Sequence, residues 1–113
     1  MVKLIALLKR KPGISPEEFE RRWLEGHTPL STRLPGLLGY RINMATARQP
    51  AGTGEPLYDG TAEMWWESID AMEAAFDSEI GVAAGADADQ FCETRIHLYT
   101  EEYDVVSGPG RPA

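Results

Sequence analysis

Residues 14–40 read ISPEEFERRWLEGHTPLSTRLPGLLGY, a helix with a marked start and an interrupted end. Ser15 suits the N-cap, because its hydroxyl accepts from the free amides of the first turn. Pro16 suits the first helical position, where an amide hydrogen has no partner to lose. Glu18 completes a capping-box pattern, and Ile14 and Phe19 occupy the two positions of a hydrophobic staple. Phe19, Trp23 and His27 recur every four residues, with Leu30 and Leu34 beyond, so all five fall near one face. The helix is not expected to run on smoothly. Gly26 weakens it, and Pro29 has no amide hydrogen for the carbonyl of Glu25. The pattern predicts a kink there, or a new short helix starting at Thr28-Pro29. Either way His27 lies on the inward face at the break.

On the N-terminal side, residues 3–10 (KLIALLKR) read as a largely buried strand, and Lys11-Pro12-Gly13 as a turn. On the other side, Pro35-Gly36 closes the helical region and residues 37–47 (LLGYRINMATA) read as a second strand. Residues 48–58 carry Pro50, Gly52, Gly54 and Pro56, and read as a long loop that could serve as a mobile flap. Residues 59–66 (DGTAEMWW) form a third strand. Ser68 caps a second helix with Ile69, Met72 and Phe76 inward. Residues 78–90 read as a short helical piece and a loop, and residues 93–106 as a fourth strand with broken alternation. The order is βαββαβ. It predicts an α+β, ferredoxin-like domain over residues 1–106: a four-stranded antiparallel sheet with its helices on one face, followed by a flexible tail at 107–113. The other face of such a sheet needs a cover, and a homodimer with two sheets face to face supplies one.

A chain of 113 residues makes one domain. Its formal net charge of −7 disfavours nucleic acid and anionic membrane surfaces, both of which call for cationic partners. Cys92 is the only cysteine, so neither an intrachain disulfide nor a Cys-cluster metal site can form. The short apolar run at residues 4–8 does not make a secretory signal, and no run is long enough to cross a membrane. A cytoplasmic protein is expected. No Gly-rich phosphate loop, dinucleotide fingerprint or nucleophile elbow is present, and His27 and His97 lack a metal-ligand spacing, so no cofactor and no metal are expected.

Three side chains are candidates for catalysis. Burial of His27 would favour its neutral ring, which suits a base; alternatively the ring simply bonds a carbonyl freed at the kink. Tyr40 on the second strand is either a phenol donor to a substrate carbonyl or a core aromatic. Asp59 is either an acid, a partner that orients a histidine, or a cap on the entrance to the third strand. Around them, Phe19, Trp23, Leu30, Trp65, Trp66, Met72 and Phe76 would suit an aromatic or alicyclic ligand, and core packing would account for them equally. His97 shares a strand face with Arg95, Tyr99 and Glu101 and reads as a solvated edge or a dimer contact, with a second acid–base site as the alternative. Cys92 reads as structural.

Residues 2–40, VKLIALLKRKPGISPEEFERRWLEGHTPLSTRLPGLLGY, resemble the EthD-domain family of dimeric α/β-barrel proteins. The resemblance rests on a strand followed by a helix carrying Phe19, Trp23, His27, Pro29 and Leu30. It continues through Leu34, Pro35, Gly36, Leu37 and Tyr40, and more loosely through YDGTAEMWWES at residues 58–68. It implies a ferredoxin-like dimer with a cavity between sheet and helices, and a histidine facing that cavity at the position of His27. It also implies a cofactor-independent isomerase, cyclase or dehydratase acting on a cyclic or aromatic, polyketide- or lactone-like metabolite. Alternatives within the same family are an anthrone-type oxygenase and a non-catalytic binding or accessory protein.

Overall fold

The computed structural model describes residues 1–109, with Thr53 described by its backbone alone. Residues 110–113, the end of the expected flexible tail, lie outside the described residues, and residues 101–109 form no helix or strand. The chain runs β1 (Val2–Arg10), α1 (Pro16–Arg21), a π-helical turn (Arg22–His27), α2 (Thr28–Ser31), β2 (Gly39–Met44), β3 (Arg48–Gln49) and β4 (Gly52–Thr53). It continues through β5 (Gly60–Trp66), α3 (Ile69–Asp77), α4 (Glu79–Ala88) and β6 (Cys92–Thr100). The main sheet has the order β2-β5-β1-β6, with every neighbouring pair antiparallel. That is the expected ferredoxin-like arrangement.

Strand register decides what faces the helices, because directly opposed residues point the same way. Ala6 lies opposite Ala62 on one side and His97 on the other. Leu8 lies opposite Gly60 and Arg95. Tyr40 pairs with Met64. All of these belong to the helix-covered face, with Phe19, Trp23 and Phe91 packed over one end and Trp66, Met72 and Ala75 over the other. The opposite face carries Ile5, Leu7, Ile96, Leu98 and Trp65. Ile96 and Leu98 there are 42% and 56% exposed. Beside them Lys3 bridges Glu63 at 2.5 Å and Glu102 at 2.7 Å. Burial works against the Lys3 ammonium, but its bonds to Glu102 and Glu63 outweigh that and raise its pKa.

The start of the first helix follows the sequence reading. Ser15 Oγ accepts from the amide of Glu18 at 3.1 Å, and Ile14 packs on the cluster that holds Phe19. The capping box is only half made, because the Glu18 carboxylate turns instead to Arg21 and Arg22, at 2.5 and 3.1 Å. The break expected at Pro29 takes the form of the π-helical turn. The amide of Thr28 reaches back to the carbonyl of Trp23, and Thr28 Oγ1 donates to the carbonyl of Leu24 at 2.6 Å. The widened turn keeps a four-residue step, so Ser31 rather than Leu30 follows His27 inward. Ser31 is 1% exposed, whereas Leu30 is only partly buried.

Four further expectations need correction. The loop at 48–58 contains a small hairpin of β3 and β4. Within residues 78–90, Glu79–Ala88 form a full helix, α4, joined to α3 with no loop between them. Ser78 ends α3 and also caps α4, accepting from the amide of Gly81 at 3.1 Å. A side chain at Gly81 would collide with the carbonyls of Ala75 and Phe76, so this tight junction requires glycine. Ile69 is exposed, and Met72 and Ala75 hold the inward face of α3. Finally, β6 stops at Thr100, leaving Tyr103, Val105 and Val106 exposed beyond it. Among the described residues, no helix is long and apolar enough to cross a membrane.

Candidate active site

Small side chains on both sides of the sheet–helix layer leave a cavity of about 70 Å³. Ala6 and Ala62 lie below it, and Ala84, Gly85 and Ala88 of α4 lie above. Larger apolar residues in this close-packed layer would fill it. Trp23 closes one side and rests on Gly60, where an added methyl group would come within 2.7 Å of the indole and 2.6 Å of the Asn43 carbonyl. The lining is mainly apolar, with five polar side chains: His27, Ser31, Tyr40, Arg95 and His97.

The helix break points His27 into this cavity, where it is 8% exposed and meets Phe91 edge-on at 5.6 Å. Its Nδ1 lies 2.9 Å from Oδ2 of Asp87 on α4. A carboxylate can only accept, so this bond puts the proton on Nδ1 and the free electron pair on Nε2. Among the described residues Nε2 has no protein partner, yet it is not sealed away from solvent-sized space. A ring held in one tautomer by a carboxylate, with its basic nitrogen open, is the arrangement of a general base.

Tyr40 comes to the same cavity from β2 and shares a 2.9 Å hydrogen bond with Ser31 Oγ. Burial raises its pKa, against the smaller opposing effect of its bonds to Ser31 and Trp23, so the phenol stays a neutral donor. His97 enters from β6, the edge strand of the sheet, where it is exposed in keeping with the expected solvated edge, and its ring also lines the cavity. Its ring lies against Phe76 at 5.6 Å. Burial, and then the neighbouring Arg95 charge, lower its pKa. Arg95 is tied to Asp89, just past α4, at 2.5 Å.

The other expected site residues lie elsewhere. Asp59 accepts from the Arg10 amide at 2.8 Å and pairs with the Arg10 guanidinium, which also binds Glu55 at 2.6 Å. It secures the entrance of β5 away from the cavity. Phe19 is core, edge-on to Trp23 and Phe91. Trp66 and Met72 are fully buried in the second core cluster, Trp66 donating to the Pro35 carbonyl at 2.9 Å. Trp65 lies on the open face beneath Lys3 and Arg41. Leu30 does not reach the cavity, for the reason of helical phase given above. Of the expected ligand contacts, Trp23 and Phe76 line it. Cys92 is buried, and burial pushes its thiol up to about 12, so it is unreactive at neutral pH.

Asp87 and Ser31 were missed. Asp87 lies 60 positions from His27, so no local spacing links them. The one available clue was helical phase within 78–90, where Asp87 adjoins the inward Ala84 and Ala88.

The EthD domain family matches residues 11–95. No curated protein matches this chain. An EthD-family protein from Bacillus halodurans C-125 is 27% identical, with TM-score 0.76, over 91% of this chain and 99% of that one. A dimeric protein of ferredoxin-like fold from Bacteroides fragilis NCTC 9343 is 16% identical, with TM-score 0.67, over 89% of this chain and 95% of that one. SnoaB, a cofactor-independent oxygenase from Streptomyces nogalater, is 15% identical, with TM-score 0.64, over 89% of this chain and 91% of that one. The last two likenesses concern the fold, whereas the family match spans the broken helix and the cavity histidine described above. On that ground the chain belongs to the EthD family.

Proposed function

We propose that this chain is a small cofactor-independent enzyme that moves a proton on a cyclic or aromatic substrate, such as a polyketide- or lactone-like metabolite. The observation that carries the proposal is the His27–Asp87 pair at the wall of an apolar cavity. Nε2 of His27 would take a proton from a carbon next to a carbonyl. Tyr40, with Ser31 behind it, would donate to the developing enolate oxygen and hold the charge in a water-poor site. Isomerisation, cyclisation or dehydration would follow from where the proton returns. An apolar cavity of ~150 Å³ holds benzene. A ring therefore needs the 70 Å³ cavity to widen, and the partly buried Phe76, tilted against exposed His97, is the side chain placed to move.

The test is deuterium wash-in. Small cyclic ketones and lactones are incubated with the protein in heavy water and followed by mass spectrometry. Exchange next to the carbonyl that disappears in His27→Gln supports the reading. Exchange that is equal in both proteins, or no faster than buffer, contradicts it. A second reading draws on the likeness to SnoaB, in which the same base forms an electron-rich anion that reacts with dioxygen. Oxygen uptake with an anthrone-like phenol separates the two.

A homodimer is part of the proposal. The open sheet face, with Ile5, Leu7, Ile96, Leu98 and Trp65, would be covered by a second copy, in keeping with the relative described as dimeric. Sedimentation at micromolar concentration should give twice the 12.5 kDa chain mass, and a monomer would contradict it.

A further inference from the structure

Among the described residues, Arg95 is the only permanently cationic side chain in the lining of the cavity. It also lines a surface basin of about 390 Å³ together with Asp89, Cys92, Glu93 and His97. Arg95 and His97 thus stand between the interior and the surface and form the mouth of the cavity. The interior beyond them is mainly alanine, leucine and methionine, with His27, Ser31 and Tyr40 as its polar side chains, and it offers no permanent positive charge to pair with an ionised group. The Asp89 partner of Arg95 is weakly placed to hold it, because the Asp89 side chain is 70% exposed while that of Arg95 is 28% exposed. An exposed ion pair of this kind contributes little and exchanges readily for another carboxylate. The Arg95 field also reaches the cavity wall, since it acts on the His97 ring. In a chain of net charge −7, which repels anions overall, a cation set at the mouth of an apolar chamber is a selective feature.

We infer that the cavity takes a cyclic or aromatic carboxylate, with its ring inside beside His27 and its carboxylate held at the mouth by Arg95 in place of Asp89. This deepens the function proposed above and rests on the same cavity. Arg95 is then a specificity-determining residue, because a guanidinium pairs with a carboxylate through two parallel hydrogen bonds. Asp89 is a built-in competitor for it.

The experiment needs no turnover. 3-Phenylpropionate and 3-phenylpropionamide have nearly the same shape and differ in charge. Their binding to wild type, Arg95→Gln and Asp89→Asn is measured by calorimetry, with the ring resonances of His27 followed by NMR to show that the probe is inside. The expectation is at least ~10-fold tighter binding of the carboxylate to wild type, a difference of about 1.4 kcal/mol. Arg95→Gln should abolish that preference and leave amide binding unchanged. Asp89→Asn should tighten carboxylate binding a few-fold without affecting the amide. Equal binding of the two probes, or a preference that survives Arg95→Gln, overturns the inference and leaves the proton-transfer reading standing. Failure of both probes to enter, with His27 unperturbed, overturns the inference and the cavity reading together.

Discussion

His27 and His97 stand on different walls of one cavity and differ in almost everything except the ring. His27 is 8% exposed, hangs from a helix break and is fixed by Asp87 at 2.9 Å. His97 is exposed, sits on a regular strand and rests on Phe76, with the charge of Arg95 nearby and, among the described residues, no carboxylate bound to it. Burial with an anionic partner selects one tautomer and one open nitrogen. Cover by Phe76 on one side of the ring, with a cation nearby, only discourages protonation. The contrast teaches that the partner, not the imidazole, sets the role each ring is proposed to play: base for His27, mouth residue for His97.

The sharpest way to break the contrast is to exchange the two rings for amides. His27→Gln should cost on the order of 10²–10⁴-fold in turnover on a substrate found by deuterium wash-in, whereas His97→Gln should stay within about tenfold. Similar losses at both would merge the two roles. Next in size is Asp87→Asn, expected to lower turnover by roughly 10²-fold with little loss of stability, because an amide no longer dictates the tautomer. Nitrogen NMR of the His27 ring should then show mixed tautomers, which a purely structural role for Asp87 would not produce. Tyr40→Phe should cost ~1–3 kcal/mol of stability in a denaturant titration, because it strands the buried Ser31 hydroxyl. If the phenol also helps the enolate, turnover should fall by roughly tenfold. Ultraviolet titration should place the phenol above its ordinary value of 10.0.

The smallest effect concerns pH and His97. The folded chain disfavours its protonation, so the unfolded chain binds more protons near the ordinary value of 6.5. The stability contributed by neutral His97 is therefore present above that pH and lost as pH falls through it. The melting temperature of wild type should drop a little more between pH 7.5 and 5.5 than that of His97→Gln. A parallel drop in both proteins would contradict this assignment.

What the sequence made legible follows how local each cause is. Ser15, Pro16, the four-residue step from Phe19 to His27, and the obstacle at Pro29 all act within a helical turn, and the structure follows them closely. Residues 78–90 were not legible in this way, because two glycines argue against a helix by propensity. There Gly81 is required by the tight junction with α3, while Ala84 and Ala88 face the cavity. Losing that helix meant losing Asp87. For His97 the exposed edge was legible, but strand alternation gives a face and not which face the helices cover, so its place at the cavity was left open. Asp59 adjoins the β1 strand end in space, and its pairing with Arg10 spans 49 positions.

The central claim is that Asp87 holds His27 with its proton on Nδ1 and its electron pair on Nε2. Long-range proton–nitrogen NMR of the histidine rings at neutral pH reads this directly, with His27→Gln used for assignment. The account predicts a protonated Nδ1 and a bare Nε2 for His27 in wild type, with that preference lost in Asp87→Asn. A His27 ring with its proton on Nε2, or with both nitrogens protonated, would contradict it.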